Sequence, residues 1–296
     1  MRVLTFDVED WFHVLDNEAT DAPSAWPRLE SRVARNTDRI LEELASRAVR
    51  ATFFCVGWVA QHHPGVVHRI VAQGHEIGTH SFAHRPVHRQ QRREFEADLV
   101  RSIRLLEELA DRPVTCFRAP GFSLWPGPRW AFDALIANGI SVDCSIFPRR
   151  CHDHSFDACL GAPFTIESSG GRLRELPISA RRLLGTHVVC SGAGYFRLSP
   201  PALVRAHMRR DDYVMSYFHP RDFDVGQPVV EGLSLLRRFK ARVGLRSALD
   251  RFRRVLDEFE FVCVGDAVRR IDWAASPLVT LRTQPAESPA DAIFAA

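Results

Sequence analysis

Apolar runs and helical patterns alternate along most of the chain. The run "RVLTFDV" at residues 2–8 predicts a strand, and the amphipathic stretch "DRILEELASRA" at 38–48, preceded by Asn36 and Thr37, predicts a capped helix. "ATFFCVG" at 51–57 predicts a buried strand, Pro64 the first turn of a short helix, and "HEIGTHS" at 75–81 a third strand. A long helix is predicted over 91–111, a fourth strand at "VTCFRAPGFS" (114–123), a helix opened by Pro128 and a fifth strand at "ISVDCSI" (140–146). Such a βαβα rhythm predicts parallel strands joined by helical crossovers. It breaks between 149 and 200, where "RELPIS" and "GYFRLS" are the strand candidates. It resumes with a strand at "YVMSYFHP" (213–220), a helix over 247–258 and a last strand, "FEFVCVG", at 259–265. After Trp273 the chain is rich in Pro, Ala and Ser, which predicts a disordered tail over 274–296.

Composition narrows the class. A chain of 296 residues, 46% hydrophobic and 25% charged, can bury a large core as one α/β domain or two smaller ones. A formal charge of +3 with evenly spread cations argues against nucleic acid as a partner. No apolar stretch approaches the roughly 20 residues of a membrane span, and the first residues run straight into a strand, so the chain is expected to be cytoplasmic. Seven cysteines without a CxxC pair argue against a disulfide framework and a structural zinc site.

The residues suited to chemistry fall where strands end, the place where parallel α/β folds build their sites. "TFDVEDWFH" (5–13) sets Asp7, Glu9 and Asp10 behind the first strand, and "HSFAH" offers His80 and His84 four residues apart, on one face of a helical turn. Two histidines, one carboxylate and an open position form the ligand set of a catalytic metal, which lowers the pKa of a bound water to about 7. Arg118 and His219 stand at two further strand ends. Each has a blander role alone: a polar pair, a solvated turn, a surface ion pair, a histidine bonded to backbone. Their order, one such residue at each of four strand ends, favours hydrolytic chemistry.

Taken together, "TFDVED", "HSFAH", "RAPGF" from Arg118, "DCSIFP" at Asp143 and "YFHP" at His219 resemble, in order, the five motifs of the polysaccharide deacetylases, the NodB-homology proteins of carbohydrate esterase family 4. The resemblance spans residues 3 to about 222 and implies an α/β fold, a distorted (β/α) barrel of about seven strands. "DVEDWF", "GYFRLSP" and "HPRDFDVGQP" with a basic helical segment after it are similar to the subfamily found with bacterial exopolysaccharide and exosortase gene clusters. Residues 223–273 correspond to that subfamily's extension, giving a single domain over 1–273.

The resemblance implies a metal-dependent hydrolase that removes N-acetyl groups from a sugar of a surface or exported polysaccharide. In it Asp7 matches the general base, His80 and His84 metal ligands, Arg118 the group that orients the base, and His219 the general acid. Asp143 is expected to hold the His219 tautomer, and Pro120, Gly121 and Trp125 to meet the substrate. The family's second aspartate is Val8 here, so either Glu9 or Asp10 must supply the third ligand. Zinc is the first choice of metal, and cobalt, nickel and iron also suit such a site. An allantoinase-like small-amide hydrolase and an inactive carbohydrate-binding homologue are the alternatives. The pair His80 and His84 with Arg118 favours the sugar; Asp7 and His219 argue against binding alone. The basic run "RRFKARVGLRSALDRFRR" is expected to be a solvated helix face, its alternative being contact with an acidic saccharide or, peripherally, a membrane surface.

Overall fold

The computed structural model describes residues 1–20, 22–125, 127–147, 161–183 and 186–281. The first strand, β1 (Arg2–Val8), lies in the sheet between β10 (Val214–Phe218) and β2 (Thr52–Cys55), parallel to both, with Phe6 beside Phe218 and Asp7 beside Phe54. Beyond β2 come β3 (Glu76–Thr79), β4 (Cys116–Phe117), β5 (Val142–Asp143) and β7 (Gly171–Glu175), each parallel to its neighbour. The parallel run β10-β1-β2-β3-β4-β5-β7 carries the seven strands expected of the barrel. Beyond it, β6 (Phe164–Ser168) folds back antiparallel on β7 and β11 (Leu278–Thr280) closes the edge; β8 (Arg181–Leu183) and β9 (Thr186–Val188) form a separate hairpin.

Strand alternation sorts the core into an outer and an inner layer. Leu4, Phe6 and Val8 of β1, Phe53 of β2 and Phe218 of β10 face outward into one cluster with helices α1 (Val33–Ala45), α3 (Pro64–Ala72) and α9 (Leu245–Glu258). Val3, Phe54, Cys116, Val142 and Met215 pack inward. Asp7 shares the inward parity of Val3 and Thr5, so the first motif's carboxylate points into the barrel mouth. A third cluster lies under α4 (Arg92–Ala110) and α5 (Trp130–Ala137). The remaining helices are α2 (Gly57–His62), α6 (Ala193–Leu198), α7 (Pro201–Arg210), α8 (Leu235–Arg242) and α10 (Val264–Arg270).

Several elements differ from the sequence expectations. Helix α1 begins at Val33, with Asn36 and Thr37 buried inside it; its first amides are satisfied from a distance by Asp10. "GYFRLS" lies in a helix, Ala193–Leu198, which turns Phe196 into the core. In "FEFVCVG" only Val262 bridges to Val3 before α10 starts. Residues 278–280, expected in a tail, form β11, while 282–296 lie outside the described residues. Cys55, Cys116, Cys144, Cys190 and Cys263 are buried thiols; Cys151 and Cys159 lie outside the described residues.

Candidate active site

Because the parallel strands share one direction, the residues that end them converge. Asp7 lies near the end of β1, His80 follows β3, Arg118 follows β4, Asp143 ends β5 and His219 follows β10.

Arg118 is wholly buried and crosses the barrel interior. Its guanidinium donates to Asp7 Oδ1 at 2.7 Å, Thr5 Oγ1 at 2.8 Å and the Cys144 carbonyl at 3.1 Å, and it lies over the Phe54 ring. Burial alone pushes the guanidinium pKa down, but the Asp7 carboxylate beside it leaves it raised.

The Arg118 carbonyl has a second task. It accepts a hydrogen bond from His80 Nδ1 at 2.7 Å, which leaves His80 Nε2 as the electron-pair donor. Burial pushes the His80 pKa down to about 4, so the ring is neutral at pH 7, as a metal ligand must be. His84 does not reach the site on a helical turn. Ser81 and His84 take positive φ values of 61° and 51°, and the loop between them is pinned by Asp98 of α4, whose carboxylate accepts from the Phe82 and Ala83 amides at 2.6 and 2.8 Å. Asp98 is the helix-side residue that makes the "HSFAH" loop a rigid platform.

Of the two candidate third ligands, the structure brings Glu9 to the histidines. One ligand atom each of Glu9, His80 and His84 lie within 4.8 Å of one another, all three residues buried, and Glu9 Oε2 is 2.9 Å from His84 Nε2. Burial alone would push the Glu9 pKa up; Arg221, His84 and His219 hold it well below the ordinary carboxylate range. Asp10 points the other way. Its oxygens accept from Ser31 Oγ at 2.6 Å and from the Arg32 and Val33 amides at 2.9 and 3.2 Å, which makes it the N-terminal cap of α1.

His219 Nε2 lies 3.0 Å from Glu9 Oε1 and 3.9 Å from Asp7 Oδ2. The partner that fixes its tautomer is Asp222, not Asp143: Asp222 Oδ2 accepts from His219 Nδ1 at 3.0 Å and from the His219 amide at 2.8 Å. Burial alone would push the Asp222 pKa up, but Arg197 and His219 hold it at about 2. Glu9 and Asp222 in turn raise the pKa of His219 against the effect of burial. Asp143 accepts from Ser145 Oγ at 2.5 Å and neighbours Glu175 in the interior, where burial pushes its pKa up. The signal for Asp222 stands in the sequence as "HPRD": a proline-opened turn returns a carboxylate three residues after the histidine, and its arginine, Arg221, reaches Glu9 at 3.1 Å.

A cavity of about 290 Å³ opens beside His219, walled by Tyr195, Val230, Leu233 and Lys240 among others. Pro120, Gly121 and Trp125 do not line it. Trp125 packs in the core under α4 and α5, since its neighbours Leu124 and Phe132 are apolar there. Gly121 turns the chain at a φ of 59° where a Cβ would meet Leu15. The aromatic rings near His219 come from other residues: half-buried Phe122 meets the buried rings of Phe147 at 4.9 Å and Tyr217 at 5.0 Å, and Tyr217 lies 6.0 Å from the His219 ring.

Comparison with known proteins gives a consistent picture. The polysaccharide deacetylase family profile matches residues 3–126, and that of a domain of unknown function, DUF3473, matches residues 144–269. The chain is 30% identical over 155 residues to a chitooligosaccharide deacetylase of Sinorhizobium fredii, covering 52% of this chain and 71% of the relative. It is 28% identical over 119 residues to a peptidoglycan-N-acetylglucosamine deacetylase of Bacillus cereus, covering 36% of this chain and 43% of that one. A crystal structure of a polysaccharide deacetylase from Mycobacterium smegmatis superposes with a TM-score of 0.65 at 19% identity, over 96% of this chain and 94% of the other, and shares its fold.

Proposed function

The chain belongs to the polysaccharide deacetylase family, and from that premise we propose that it is a metal-dependent hydrolase that removes the N-acetyl group from an N-acetylated sugar of a surface or exported polysaccharide or its precursor. The observation that carries this reading is the buried convergence of Glu9, His80 and His84 beside His219, with the Asp7–Arg118 pair 3.9 Å from His219 through Asp7. Two imidazole nitrogens and a carboxylate oxygen suit a divalent ion, with zinc the first choice. Bound there, the metal supplies Lewis acidity to the amide carbonyl and to a water.

The chain's own groups divide the remaining work. Asp7 takes a proton from the attacking water, and the hydrogen bond from Arg118 keeps that carboxylate aimed. As the amide C–N bond breaks, His219 gives its proton to the departing nitrogen, so one water and one amide become acetate and a free amine. Glu9 and Asp222 raise the His219 pKa against burial, and Asp222 accepts from its far nitrogen, which favours the protonated ring the step needs. The half-buried Phe122 and exposed Tyr195 offer faces for the pyranose ring.

The test is acetate release from N-acetylglucosamine oligosaccharides and other N-acetylated saccharides, after chelation and after return of zinc, cobalt, nickel or iron. Release that requires metal and is lost in Asp7→Asn supports the reading. Asp7→Asn releasing acetate like the wild type, or no release with any metal, overturns it.

A further inference from the structure

Helix α8 stands apart from the other helices: none of its residues is buried, and Leu235, Leu236 and Phe239 are 84%, 61% and 58% exposed. At about 100° per residue these three share an arc of roughly a quarter turn. The opposite side is the one that touches the domain. Arg237 and Ala241 there are half-buried, and the Arg237 guanidinium donates to the carbonyls of Leu15 and Asp16, which fixes the rotation of the helix with its apolar arc outward. A helix whose function is only to be solvated carries polar residues on that arc.

Charge accompanies the apolar arc. From Gly232 to Leu249 the chain has Arg237, Arg238, Lys240, Arg242 and Arg246 and no aspartate or glutamate. Arg238 and Arg242 flank the arc on one side and Lys240 on the other, the arrangement in which long cationic side chains reach headgroup phosphates while the apolar residues enter below them. No helix among the described residues is long and apolar enough to cross a membrane, so this face concerns surface contact.

We propose that α8 docks the protein on an anionic lipid bilayer, with Leu235, Leu236 and Phe239 entering the acyl boundary and Arg238, Lys240 and Arg242 meeting the headgroups. Arg238 and Lys240 also wall the cavity beside His219, so docking turns that cavity toward the bilayer surface. That orientation suits a saccharide carried on a lipid, a step that rests on the deacetylase reading, whereas docking itself does not.

Flotation with unilamellar vesicles of equal phosphatidylglycerol and phosphatidylcholine, against vesicles of phosphatidylcholine alone, tests the docking. The full chain should float with the anionic vesicles, less so as salt is raised, and stay behind with the neutral ones. The triple variant Leu235→Ser, Leu236→Ser, Phe239→Ser should partition at least about tenfold more weakly, while its circular dichroism and its acetate release from a soluble chitooligosaccharide match the wild type. A wild type that does not float with anionic vesicles, or a triple variant that floats equally well, overturns the proposal. So does a wild-type dimer that the triple variant converts to monomer without any change in flotation, since a second copy would then cover the face. Loss of acetate release in every protein with flotation intact would sink the deacetylase reading and leave the docking standing.

Discussion

Exchanging Asp222 for asparagine separates the arrangement seen in the structure from the one expected from the motif order. Asp222 accepts two hydrogen bonds from His219, at its ring and its amide, and pairs with the buried Arg197. A hydrogen bond to a charged group contributes roughly 1.5–3 kcal/mol, and one pKa unit corresponds to about 1.4 kcal/mol, so Asp222→Asn should lower the His219 pKa by about one to two units. His219 acts as acid only while protonated, so activity falls as pH rises through its pKa. The basic limb of kcat/KM against pH should therefore move to lower pH by that amount, with the acid limb in place. Asp143→Asn should leave the basic limb where it is, because Asp143 faces Ser145 and Glu175. Both variants are to be assayed with metal restored and folding checked by circular dichroism, since an unpaired Arg197 costs about 3–5 kcal/mol at the upper end. A basic limb that moves in Asp143→Asn and not in Asp222→Asn would refute the assignment.

Three further outcomes follow from the same contacts. Glu9→Gln should lose bound metal by elemental analysis, whereas Asp10→Asn should keep it and lose about 1–2 kcal/mol of stability in urea unfolding, as expected for a helix cap. Arg118→Ala should destabilise by about 3–5 kcal/mol because it strands the Asp7 charge, and Asp7→Asn in the same chain should recover part of that loss; a strictly additive double variant contradicts this. Asp222, held at about 2 against an ordinary 3.8, contributes roughly 2 kcal/mol that is complete above pH 4 and lost as pH falls through 2. The wild type should therefore lose more stability than Asp222→Asn between pH 4 and pH 2 in denaturant titrations.

The parts of the fold set by local pattern were legible in the sequence. The runs around Phe6, Phe53 and Tyr217 are strands because burial on both faces demands continuous apolar residues, and Asp7, His80, Arg118 and His219 stand at the ends of β1, β3, β4 and β10. What escaped was set by contacts between distant segments. The sequence leaves Glu9 and Asp10 open as the third ligand; what separates them in the structure is the α1 amides, which lie more than 20 residues away and bond Asp10. The sequence favours Asp143 over Asp222 because the strand-end rule says nothing of a proline-opened turn that folds a carboxylate back onto its own histidine. "GYFRLS" reads as a strand, yet Arg197 pairs with Asp222 and Phe196 fills the core from a helix, an arrangement only the folded chain rewards. The basic run divides into α8 and α9, and the apolar arc of α8 becomes visible only once Arg237 is seen tied to Leu15 and Asp16.

The most direct test of the central claim, that Glu9, His80 and His84 together hold a divalent metal, is an anomalous difference map from crystals grown with zinc. One peak should lie about 2.0–2.2 Å from a Glu9 carboxylate oxygen and from one nitrogen of each histidine, with Asp10 still bonded to the α1 amides. A saturated crystal with no peak among these three residues, or a peak ligated by Asp10 in place of Glu9, would contradict the account.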